Sequence, residues 1–216
     1  GNITQNGTLT VGANPLNLNA GGAVSGSAGV VATTLTLRGF AGGVQTAAAG
    51  ALDLTAGNAI TTLDAVTTGA LTFRQTNGFT VTGAIAGAGA VSLTSTAGAI
   101  TQLAGAIAGL AVTLRADAMT LTGGTISAGG GSVTLARQTL GLITIGAAGG
   151  LFFANGSLPG VTAGTLAFDA NGGTVNVSRQ FASPAATLDL LAAGGATINA
   201  TFTVSGASLV RNTAGG

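Results

Sequence analysis

Along the chain an apolar residue, a small or polar one and a second apolar one recur as a triplet. The apolar pairs are Leu16/Leu18, Leu35/Leu37, Leu52/Leu54, Leu71/Phe73, Val91/Leu93, Val112/Leu114, Val133/Leu135, Leu166/Phe168 and Leu188/Leu190. Alternation of period two is the mark of a strand with one buried face. Successive first members lie 19, 17, 19, 20, 21, 21, 33 and 22 residues apart, so seven of the eight gaps cluster near twenty. A second apolar group follows seven to ten residues after each strand start, and a third fourteen to sixteen after it. From Leu71 these are Phe79 with Val81, then Ile85; from Val112 they are Met119 with Leu121, then Ile126. Between the groups stand Thr76-Asn77-Gly78, Thr96-Ala97-Gly98, Gly123-Gly124 and Asn171-Gly172-Gly173, residues that take tight turns at low steric cost.

Each repeat is thus predicted to carry three short strands separated by corners. Strands of three to five residues cannot bury a face alone, but coil stacked on coil pairs each strand with its equivalent one period later, at about 4.8 Å. The prediction is an all-β parallel solenoid, a β-helix of roughly eleven coils with about twenty residues in each. A helical reading fails, because the 39 glycines would each cost about 1 kcal/mol against alanine in a helix interior. The same glycines weigh against a leucine-rich-repeat horseshoe, whose repeat needs a helical segment. Residues 1–216 read as a single solenoid domain. The long gap falls on residues 140–164, where Leu142, Ile143, Ile145 and Leu151 to Phe153 predict an irregular coil or a loop insertion.

Composition narrows the function classes. Charged residues are 5% of the chain, six Arg and five Asp with no Lys or Glu, and the net charge is +1. Such a surface offers no basic field for nucleic acid. Cys, His, Trp and Tyr are absent, which removes thiolate and imidazole metal ligands, the commonest general base and every disulfide. No enzyme activity, no cofactor and no metal are expected. Mean hydropathy is +0.63, yet the longest apolar stretch, Leu103 to Val112, is about half of the roughly twenty residues a spanning helix needs. A transmembrane barrel would carry Trp and Tyr belts that this chain lacks, so it is not expected to span a membrane. The start at Gly1, without Met or a leader, reads as an internal fragment of a longer repeat protein.

Individual coils carry a resemblance. The run Gly89-Ala90-Val91-Ser92-Leu93-Thr94-Ser95-Thr96-Ala97-Gly98-Ala99-Ile100-Thr101-Gln102 is echoed by Gly50-Ala51-Leu52-Asp53-Leu54-Thr55-Ala56-Gly57-Asn58-Ala59-Ile60-Thr61, and Gly1-Asn2-Ile3-Thr4-Gln5 repeats the same ending. In this, nearly the whole chain resembles the internal repeats of filamentous-haemagglutinin-like exoproteins of two-partner secretion. The resemblance implies a right-handed parallel β-helix, and a protein that is secreted or held on the bacterial cell surface. It supplies no catalytic residue. Asn14-Pro15-Leu16-Asn17-Leu18 is an incomplete match to the Asn-Pro motifs of the family's secretion domain, so this segment is not expected to direct its own export.

The candidate interaction residues are few. Arg38, Arg74 and Arg115 each fall three residues after the start of a first strand, in alternate coils with Thr55 and Thr94 between, which would make a row along one edge. Such a row could grip an anionic glycan or a neighbouring rod; edge protection and solubility explain it as well. Arg137 and Asp117 lie near the same edge and could pair. Phe152 and Phe153 would add to a binding surface if they faced outward, and fill the core if not. Asp53 and Asp189 take equivalent outward positions many coils apart, too far for an acid pair that needs about 5 to 10 Å. Thr-x-Thr tripeptides at Thr8/Thr10, Thr34/Thr36, Thr80/Thr82, Thr120/Thr122 and Thr201/Thr203 move between strands, as β-propensity alone would scatter them. Two roles follow as expectations: a structural filament component that associates with itself, or an adhesin stalk that binds a host or matrix ligand.

Overall fold

The computed structural model describes residues 1–41, 44–145, 150–153, 158, 160–178, 181–183, 185–199, 202–204 and 210–212; Phe152 and residues 181–183, 202–204 and 210–212 are described by their backbone alone. The chain folds as an all-β parallel solenoid, with no helix among the described residues. A regular coil has three strands, such as Val91–Ser95, Ala99–Gln102 and Ala106–Ala108, followed one coil later by Val112–Arg115, Ala118–Leu121 and Thr125–Ser127. These short segments form strands because the residue at every second position is swallowed by the core. Leu93, Ile100 and Ile107, one from each strand of a coil, are completely buried.

On the first face Ile3, Val24, Leu52, Leu71, Val91, Val112, Val133, Leu166 and Leu188 stack in parallel register, and Val210 pairs beyond Leu188. From Ile3 to Leu188 the stack makes about eight turns, fewer than the eleven expected. Two long coils account for about one turn of the difference: Val24 to Leu52 takes 28 residues and Val133 to Leu166 takes 33. The early register also differs from expectation. Leu16 and Leu18 pair with Leu35 and Leu37, and these pair with Leu63 and Ala65, so the first two leucine pairs belong to another face of the coil than Leu52/Leu54.

The 28-residue coil is long because the strand Val30–Ala41 overshoots its corner and leaves the parallel stack. Its end pairs antiparallel with Val44–Thr46, Gly39 opposite Thr46, Phe40 opposite Gln45 and Ala41 opposite Val44. The 33-residue coil places two strands on the second face where other coils place one. Leu142–Ile145 lies between Leu151–Phe153 and Thr174–Val177, with Ile143 opposite both Leu151 and Val175. The core remains one continuous column through both coils. Its largest members pair as rings: Phe73 meets Phe79 edge-on and Phe153 meets Phe168 at a tilt, each at a centroid separation of 5.3 Å.

Corners bring backbones closer than a Cβ allows. An added Cβ on Gly105, whose φ is +76°, would sit 1.9 Å from the Gly83 carbonyl oxygen one coil away. Corner backbone groups that no strand can pair are met from inside by buried amides. Asn58 accepts from Val30 N and donates to the carbonyls of Leu54 and Arg74, while Gln75 accepts from Ile60 N and donates to Asn77 and Gly78. These two amides replace ladder bonds lost at the bend, so their own burial costs the core little.

Candidate interaction surface

The three arginines do not form the expected row. Arg38 stands on the strand Val30–Ala41, in register with Asn19, and its guanidinium donates to the Asp64 carboxylate. It is off the edge that carries the other two, because the leucine pair preceding it lies on a different face. Arg74 and Arg115 do share a column, with Thr94 between them. Arg115 is occupied: its Nη2 donates to Asp169 at 2.9 Å and its Nη1 to the Arg137 carbonyl at 2.7 Å. Arg74 is exposed and, alone among the arginines whose side chains are described, lacks a carboxylate partner. It borders a recess of about 230 Å³ together with Thr55, Gly57, Gln75, Thr76 and Thr96.

Asp117 and Arg137 pair as their spacing suggested. Arg137 Nε and Nη2 reach Asp117 Oδ1 at 3.2 Å, and Thr139 donates to the same carboxylate through both its backbone N–H and its hydroxyl at 2.9 Å. Burial pushes the Asp117 carboxyl up, but the two Thr139 donors and the Arg137 guanidinium outweigh it and hold the group below the ordinary carboxylate value. The site acts as a clamp across a corner.

Phe153 is buried against Phe168 in the core, so it is not a surface contact; Phe152 alternates with it on the strand, and its side chain lies outside the described residues. Asp53 and Asp189 do occupy one column, linked by Thr72, Ser92, Thr113, Thr134 and Ala167. Six rungs put them roughly 29 Å apart, far beyond the reach of a paired acid mechanism.

Two surfaces were not foreseen. The threonine motifs are less scattered than expected, because Thr34, Thr62, Thr80, Thr101 and Thr120 stand in register on successive coils of the second face. The neighbouring column is irregular, with Asp64 beside Thr36 and an exposed Leu103 further along. The second is the antiparallel hairpin, which exposes Phe40 on one side and Val44 on the other, at 53% and 64%. The only trace of it in the sequence is the extra length between Val24 and Leu52, visible once the correct rungs are known.

No protein family, curated protein or solved structure matches this chain. Small hydroxyl-bearing columns cover two faces of a rod, three ion pairs are closed within the chain, and Arg74 with Asp53 remain open among the described charges.

Proposed function

We propose that this chain is a structural segment of a bacterial extracellular or cell-surface filament, that it associates with copies of itself, and that it catalyses no reaction. The observation that carries this reading is the combination of one uninterrupted apolar column with an exterior in which most side chains are small and few are charged. A continuous core makes a stiff rod without disulfides or metals, and a nearly neutral exterior puts little electrostatic repulsion between neighbouring rods. The resemblance of the coils to haemagglutinin-like exoproteins supports the extracellular setting.

A second reading, an adhesin stalk binding a glycan or host surface, is favoured by the hairpin. Phe40 and Val44 leave the stack and stay exposed, as a contact site for a foreign ligand would. Sedimentation velocity across a range of protein concentrations, joined to negative-stain electron microscopy, separates the two. Self-association into elongated or bundled species supports the filament role; strict monomers at every concentration would leave the solitary stalk.

A further inference from the structure

We propose that the first face of the solenoid is a self-docking surface, on which Asp53 and Arg74 of one rod engage Arg74 and Asp53 of a second copy. The inference rests on the self-association reading above and names the surface that performs it. The other charged side chains that the structure describes are satisfied within one chain: Arg38 holds Asp64, Arg115 holds Asp169, Arg137 holds Asp117, and Asp189 is buried and partnered. Among the described side chains this leaves one cation and one carboxylate, both exposed and neither in an ion pair.

The two stand close together on one face. Asp53 is in register with Thr72, two residues before Arg74 in the next coil, so the charges lie diagonally on adjacent strands. The column of Asp53 continues as Ser25 on one side and Thr72, Ser92, Thr113 and Thr134 on the other. No bulky side chain in that column holds a second rod away. A two-fold axis running along this face, parallel to the rod, sets each Asp53 one rung, ~4.8 Å, along the axis from the partner's Arg74, and across sheets packed about 10 Å apart the arginine and aspartate side chains together span the gap. The same operation makes the reciprocal pair, so the patch is complementary to itself. Exposed ion pairs are individually weak and are screened by salt, hence association through this face is weak per copy and falls as ionic strength rises.

The test is sedimentation velocity of the 216-residue chain at low and high salt, for the wild type, Asp53→Arg, Arg74→Asp and the double exchange. Circular dichroism melts establish that all four are equally folded. Each single reversal sets like charges face to face and is expected to raise the concentration needed for association by roughly tenfold, while the double exchange restores wild-type behaviour. Wild-type association in both single variants would overturn the inference, placing the interface elsewhere while the filament reading stands. Failure of the double exchange to restore association would equally overturn the reciprocal pairing. A wild type that stays monomeric would overturn both readings and leave Arg74 to Asp53 of its own chain or to a foreign anion.

Discussion

At the scale of single residues, the solenoid sorts side chains by their position on a rung. Ile100 is completely buried, in register with Phe79 below and Met119 above. Ile100→Asp places a carboxylate among these apolar neighbours without a cation, at an expected cost of several kcal/mol. Loss of the β-sheet circular dichroism signal or a large fall in melting temperature is the expected result; an unchanged melt would show that the second-face register is wrong. Asp117 gives the opposite kind of test. Its folded pKa lies below the unfolded value, so its contribution is complete above the ordinary carboxylate range and fades as pH falls through about 4 toward the lowered folded value. Asp117→Asn is expected to melt below the wild type at pH 7, and the two curves should converge as pH falls through the lowered folded value. A constant offset at all pH values would contradict the clamp. The inward role of Ile100 was legible in the sequence because alternation is a local signal. The partners of Arg38 and Arg115 were not, since Asp64 and Asp169 reach them only through the stacking of coils.

At the scale of elements, corners hold the coils at their spacing. Gly105 takes a left-handed conformation against the Gly83 carbonyl, whereas Gly129, also left-handed at φ +55°, has open space around its Cα. Gly105→Ala combines backbone strain with overpacking and is expected to cost about 2 to 4 kcal/mol, while Gly129→Ala carries only the strain, about 1 kcal/mol. Denaturant midpoints of the two variants check this, and equal losses would mean that coil-on-coil contact at the Gly105 corner is unimportant. From Leu52 to Leu135 the elements were readable, because each repeat there is a plain coil with a spacing of 19 to 21 residues. Before Leu52 they were misread: Leu16/Leu18 and Leu35/Leu37 have the same alternating form, and a period of two does not say which face of a coil a strand occupies. The gap of 17 between Leu35 and Leu52 mimicked a short coil and concealed the hairpin. The doubled strand after Val133 announced itself by the long gap and by the apolar residues Leu142, Ile143, Ile145 and Leu151 to Phe153 within it. Its spatial order, with Leu142–Ile145 between Leu151–Phe153 and Thr174–Val177, depends on pairing that no local pattern encodes.

At the scale of the whole molecule, some eight turns share one apolar column, and outside it the chain presents hydroxyls, methyls and few charges. The proposed filament uses both properties, stiffness along the axis and low repulsion across it. The exposed Phe40 and Val44 belong to a hairpin beside this column, so Phe40→Ser with Val44→Ser is expected to leave the melting temperature within about 2 °C of the wild type, a surface-sized change. A larger drop would mean that the hairpin packs on the rod. The filament claim itself is tested most directly by cryo-electron microscopy of the purified chain at concentrations where sedimentation detects association. The expected image is of elongated assemblies of laterally joined rods, with a strand spacing of about 4.8 Å along each rod axis. Isolated, monodisperse rods at all concentrations would contradict it.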